Sequence, residues 1–273
     1  MFLLFLLPLL ASFELNGTHQ VTCSRDLMQA YQTMIQLPEA KEVVDNALKR
    51  GCIQVVSRHA DGFGGMWDAN NRMIAVSPRE NQTLGAKINT MMMEFHNAQS
   101  DEDLSVIFTK AHNNQIGKED YVEQVERIEH ANTVNSSKLL AKGIEKGLYP
   151  KDAAWHIIED FDDHYKVQQI LDHSLWIARN YDQINRYSSK QPYKGTVQGL
   201  YHLNEKEKSM LCSFLMIKND MKSERRAVRE RAQSCFAREL LRRRSGIHGS
   251  ANQAYSQMNS QEAKCFDAVF SES

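Results

Sequence analysis

The chain has 273 residues, a formal net charge of −1, 8% aromatic and 25% charged residues. That length is enough to bury a substantial core, in one large domain or two small ones. The near-neutral balance gives no global charge footprint for nucleic acid or an anionic surface, and the composition is that of an ordinary soluble globular chain.

Residues 1–10 are almost wholly apolar. Ten residues cannot cross a bilayer, and the run reads as the apolar region of a secretory signal. It lacks a basic start and a clean Ala-x-Ala end; Ala11-Ser12 and Gly17 are the candidate ends. The expectation is a signal peptide over residues 1–17, a mature chain that is secreted or periplasmic, and no stable membrane span once the leader is removed. Five cysteines, Cys23, Cys52, Cys212, Cys235 and Cys265, make an odd set. At least one thiol is therefore unpaired within the chain, and export would permit disulfides among the rest, with the pairing open. None has Cys-x-x-Cys spacing, so zinc-finger and thioredoxin readings gain no support. Asn16, Asn81 and Asn135 open glycosylation sequons, which matter only in a eukaryotic source.

Two short helices are predicted over Arg25–Leu37 and Glu39–Arg50, interrupted by Pro38 and stopped by Gly51. Cys52–Ser57 reads as a strand. Met66–Asp68 and Arg72–Val76 read as a hairpin, with Asn70-Asn71 supplying the positive φ of a tight turn. Leu84, Ile88, Met91 and Phe95 share one face of a helix ending near Ala98. From Asp101 onward the pattern is helical throughout. The predicted helices are Asp101–Asn114 capped by Ser100, Lys118–Ala141, one opened by Pro150 and running through Phe161, and Lys166–Tyr187. Ser188–Gly199 holds Pro192 and Gly195 and marks a boundary. Asn204 then caps a helix to about Met221, and Lys222–Arg244 is basic. The fold class is a helix-rich α+β domain with a small antiparallel or mixed sheet. Its hairpin packs on helix 84–98, and a helical C-terminal half follows.

The stretch from Gly64 to Ala98 organises this reading. A glycine-rich hairpin leads into a helix carrying Met93-Glu94-Phe95-His96-Asn97. This layout, over residues 52–98, resembles the core of the zincin metallopeptidases. Their corresponding helix carries His-Glu-x-x-His: two histidines one turn apart hold zinc and the Glu is the general base. The resemblance implies a zincin-like domain with a helical extension over residues 18–190, followed by a helical region with a basic helix over residues 200–273. It places Glu94 at the general-base position and Met93 and Asn97 at the two ligand positions. A thioether and an amide are poor zinc ligands. His96 is the one good donor nearby, and it points about 100° around the helix from Asn97. Many zincins draw a third ligand from a later helix, so Glu126, Glu129 and His130 are the candidates to meet Glu94. A solvated face is the plainer account of that charged helix.

Other candidates are weaker. Glu159, Asp160, Asp162, Asp163 and His164, with Asp172-His173, mix carboxylate and imidazole but match neither an EF-hand nor a paired Glu-x-x-His pattern. No nucleophile elbow, phosphate loop or cysteine–histidine setting occurs. The basic helix reads as a solvated amphipathic helix or an anionic-partner site. Three functional readings follow. The first is an exported zincin-like protein that lacks ordinary zinc peptidase activity, needs no cofactor and binds an unknown protein partner rather than nucleic acid. The second is a metal-dependent hydrolase, metallopeptidase-like, using Glu94 as general base with non-standard ligands; zinc enters only here. The third is a helical interaction protein unrelated to peptidases.

Overall fold

A computed structural model describes residues 11–13, 20–60, 63–80 and 82–185, together with 193, 208, 209, 211–213, 215, 216 and 219. The chain is a helix-rich α+β protein with a small mixed sheet. Its strands are β1 (Ala11–Phe13), β2 (Val21–Cys23), β3 (Ile53–Ser57), β4 (Gly65–Asp68) and β5 (Met73–Val76). Its helices are α1 (Met28–Met34), α2 (Pro38–Leu48), α3 (Leu84–Gln99), α4 (Asp101–His112), α5 (Lys118–Glu145), α6 (Phe161–Ile170) and α7 (His173–Ile184), with a 3-10 turn at Lys151–Ala153. Two compact units are distinguished: residues 1–109 with 128–157, and residues 110–127 with 158 onward. Helix α5 runs through both.

In the first unit the sheet order is β1-β2-β3-β5-β4. The inner pairs β2–β3 and β3–β5 are parallel, with Val55 opposite Cys23 on one side and Ile74 on the other. Parallel neighbours require crossovers, here α1–α2 between β2 and β3. β4 returns antiparallel to β5, Gly65 facing Val76 and Asp68 facing Met73. β5, between two neighbours, is buried at all four positions. Such a strand reads as an unbroken apolar run because both of its faces are covered. Residues 11–13, where the leader is expected to end, form β1 antiparallel to β2.

The core lies between this sheet and α1, α2 and α3. Val21, Ile53, Val55, Ile74 and Val76 meet Tyr31, Met34, Val44, Ile88, Met91, Met92 and Phe95, all essentially inaccessible. Each large apolar side chain so buried contributes about 1.5–3 kcal/mol of transfer free energy. Pro38 opens α2, where its fixed φ suits a first helical residue. Thr83 caps α3, its hydroxyl accepting from the Ala86 N–H at 3.1 Å.

Several expectations need correction. Asn70 and Asn71 do not take the positive φ of the hairpin turn; Arg72 does, at 47°. The turn is instead closed by Asp68, whose carboxylate accepts from the Asn71 N–H at 3.1 Å and its amide at 2.7 Å. This local hydrogen bonding is a standard alternative to a glycine turn. Arg72 is held in its unusual conformation by its guanidinium, which donates to the Ala47 carbonyl at 2.7 Å and lies 5.2 Å from the Trp67 ring centroid. Pro150 opens the 3-10 turn at Lys151–Ala153, not a helix through Phe161; α6 begins at Phe161, capped by Asp160. The helix expected over 166–187 is broken in two by Asp172, whose φ of 63° is left-handed. Aspartate tolerates that region better than most residues. Residues 208, 209, 211–213, 215, 216 and 219 are helical. The basic segment 222–244 lies outside the described residues, as does most of the expected boundary at 188–199.

Gly85 sets how closely α3 approaches the Lys151–Ala153 turn. A Cβ there would come to 2.4 Å from the Ala153 nitrogen and 2.6 Å from the Asp152 carbonyl carbon. Those are backbone atoms and cannot swing aside. Gly85→Ala is expected to cost about 1–3 kcal/mol by overpacking, read as a lower denaturation midpoint at unchanged slope. An unchanged midpoint would mean this contact is not closed in solution.

Candidate functional site

Helix α3 presses its Glu94 face directly against the hairpin. At Gly65 on β4, a Cβ would fall 2.5 Å from Thr90 Cγ2, 2.9 Å from Glu94 Oε1 and 3.0 Å from Glu94 Cγ. Only glycine lets strand and helix close to this distance. The glutamate side chain is 7% exposed. A carboxylate so placed must be hydrogen-bonded to remain charged at acceptable cost.

Its hydrogen bonding is directional. Asn97, three residues on along α3, donates from Nδ2 to Glu94 Oε2 at 3.1 Å. Asn97 Oδ1 in turn accepts from Asn132 Nδ2 on α5 at 3.0 Å. Asn132 Oδ1 accepts from the Ser100 hydroxyl at 3.0 Å. Donation thus runs Ser100 to Asn132 to Asn97 to Glu94 and ends on the carboxylate. Chains of this kind polarise one another in the protein interior. The sequence suggests Ser100 as the cap of α4. In the structure Ser100 both ends α3 and precedes α4, where its carbonyl accepts from the Leu104 N–H at 3.1 Å; its hydroxyl donates to Asn132, and the first turn of α4 carries Asp101, Glu102 and Asp103. Acidic groups suit the positive end of a helix.

Met93, one turn before Asn97, faces hydroxyls. Thr133 Oγ1 lies 3.7 Å and Ser136 Oγ 3.9 Å from its sulfur. The two ligand positions of the motif therefore hold a thioether in contact with weak donors and an amide whose oxygen is already used. His96 lies 7% exposed on the same helix, and its Nε2 has no hydrogen-bond partner. Burial lowers its pKa from 6.5 to about 4, so the ring is neutral near pH 7.

The later-helix candidates divide. His130 is buried on α5. Glu126 is fully buried and turned to α7: its Oε1 accepts from the Ser174 hydroxyl at 2.6 Å and sits 3.1 Å from His173 Nδ1. Glu129 lies one turn further along α5. Sequence reasoning missed Asn132, Thr133, Ser136 and Ser174, for which residue type alone carries no signal. It set His173 beside the acidic run, whereas His173 pairs with a residue 47 positions earlier. Within that run, Asp160 Oδ1 caps α6 by accepting from the Asp163 N–H at 3.0 Å. Asp162 and Asp163 sit in its first turn, an ordinary helix-start role.

Comparison with protein-family models, with curated proteins and with solved structures finds no match for this chain.

Two outcomes follow from this geometry. Glu94→Ala is expected to cost about 1–3 kcal/mol, because it leaves buried donors unsatisfied. Glu94→Gln, nearly isosteric, should cost less; thermal melts that place Glu94→Ala with the parent would remove Glu94 from the organising role. For His96, folding lowers the pKa, so between pH 6.5 and 4 the unfolded chain binds more protons than the folded one. The stability this neutral ring confers is full above pH 6.5 and is lost as pH falls towards 4, by roughly 3 kcal/mol. Denaturation series at pH 7 and pH 4 should show a smaller acid loss for His96→Gln than for the parent. Equal losses would place His96 in water.

Proposed function

We propose that this is an exported, zincin-like protein in which a closed hydrogen-bond assembly occupies the place of a zinc centre, and which acts by binding a protein partner rather than by ordinary zinc peptide hydrolysis. The observation that carries this reading is the donor chain from Ser100 through Asn132 and Asn97 to Glu94. A zinc hydrolase needs about three protein ligands and an open position beside its general base. Here the retained glutamate accepts from the residue at one ligand position. That residue's oxygen accepts from α5, the later helix from which such a fold draws its third ligand. Three places in that arrangement are filled by groups that satisfy one another.

Two further features support the scaffold. A glycine-bearing hairpin at the sheet edge leads directly into the Glu94 helix, and Gly65 is the residue that lets them close. The apolar leader supports export. No helix among the described residues is long and apolar enough to cross a membrane. The partner itself is a protein of unknown identity.

Rebuilding the ligand pair tests the reading. The double change Met93→His with Asn97→His restores two imidazoles one turn apart beside Glu94. Metal analysis after dialysis against zinc should find one equivalent more in the double variant than in the parent. Adding Asn132→Asp, a carboxylate from α5, should tighten it further. No gain over the parent would count against the zincin layout itself.

A further inference from the structure

We propose that the cations at the carboxyl edge of the parallel strands β2, β3 and β5 form a docking surface for an acidic segment of a protein partner. The surface lies wholly within the first unit. It rests on the reading of this chain as a partner-binding protein and names the surface and the partner's chemistry. It does not depend on the Glu94 assembly.

The sheet brings these groups together. β2, β3 and β5 are neighbours running in one direction, so their carboxyl ends share one edge. Adjacent strands lie about 4.8 Å apart. The chain leaves β2 through Ser24 and Arg25, β3 through Arg58, and β5 through Ser77, Pro78 and Arg79; all three arginines are exposed. A fourth cation comes from α3. Lys87 Nζ donates to the Asp26 carbonyl at 3.1 Å, which fixes it beside Arg25. Arg79 reaches towards the hairpin: its Nη2 lies 3.4 Å from where a Cβ on Gly64 would stand, and the Thr90 hydroxyl of α3 lies 3.8 Å from the same point.

These cations carry no anion of their own. Among the described residues, Arg25, Arg58, Arg79 and Lys87 enter no ion pair. The amino edge of the same strands is built the opposite way. Arg50, ahead of β3, pairs with Asp101 and Glu102, and Arg72, ahead of β5, with Asp101. The fold neutralises cations at one edge and leaves them open at the other. The open edge is also braced. The buried Ser77 hydroxyl accepts from the Ala60 N–H at 2.9 Å and donates to the Phe63 carbonyl at 2.7 Å. The Ser77 N–H donates to the Gly64 carbonyl at 2.8 Å, and the Arg58 N–H to the Val76 carbonyl at 3.0 Å. Cations carried on fixed backbone lose less freedom when a ligand binds.

The chemistry selects carboxylates on a peptide. Guanidinium forks match planar carboxylates through paired hydrogen bonds. Asp26 and Glu80 are exposed among the four cations. A uniformly charged phosphate backbone meets repulsion from them, whereas acidic side chains spaced along a peptide pass between.

The test uses the full chain and the fluorescence anisotropy of a labelled octapeptide of alternating Glu and Gly. The parent should bind it, and more weakly as salt is raised. Arg58→Glu with Arg79→Glu should weaken binding at least ~10-fold. Lys138→Glu with Lys146→Glu, exposed on α5 and equal in charge change, should leave it unchanged. Arg25→Gln with Arg79→Gln, expected to weaken binding less, replaces the charge reversal if that variant does not fold. Three results would overturn the surface: no binding by the folded parent at low salt, equal weakening by both lysine and arginine reversals, or tighter binding of an oligothymidylate of equal length or of phosphatidylserine vesicles. Failure of the peptide removes this surface and leaves the zincin layout standing. Failure of Met93→His with Asn97→His to gain zinc removes the layout and leaves this surface.

Discussion

The first unit depends on one contact: the closure of α3 onto β4 at Gly65, which buries Glu94. Because the strand carries no Cβ there, the helix comes close enough for its carboxylate to lie against backbone. That removes water from the charge and obliges the protein to supply donors. Asn97 is supplied by the same helix, Asn132 by α5 and Ser100 by the end of α3, in sequence. The approach of Asn132 on α5 and the turning of the Ser100 hydroxyl towards it follow from that requirement. The apolar core supplies most of the stability. The buried charge explains why these particular polar side chains converge.

Arg72 fixes the other end of the hairpin by a different means. It takes a left-handed backbone and places its guanidinium on carbonyls at the end of α2 and on the Trp67 ring. Helix ends leave carbonyls without partners, and a cation there is favourable. Asp101 approaches the same guanidinium at 3.8 Å and Arg50 at 3.3 Å. Hairpin, α2 and the start of α4 are thereby fastened by polar contacts outside the apolar core.

Local signals were legible and non-local ones were not. The hairpin and α3 could be read because alternation and helical spacing are properties of neighbouring residues. β2 could not: three residues, Val21–Cys23, carry little pattern, and their parallel pairing with β3 depends on a crossover of about thirty positions. The break at Asp172 was hidden because no glycine or proline marks it. The Glu94 motif was visible as a departure from a spacing, yet its completion by Asn132 lies 35 positions away. The Glu126–His173 pairing was hidden for the same reason, since an apposition across two helices leaves no trace in either helix's own periodicity.

The donor chain also constrains how this sequence can change. Each amide in it accepts on one side and donates on the other, so neither asparagine can be exchanged for a residue lacking both roles without leaving a neighbour unmatched. Replacing Asn97 by histidine alone strands the Asn132 amide, and replacing Asn132 alone strands both Asn97 and Ser100. Residues 94, 97, 100 and 132 should therefore vary together among descendants of this chain. A lineage moving towards two histidines on α3 would cross less stable single substitutions on the way, a barrier set by the bookkeeping of four polar side chains and independent of any selection on activity.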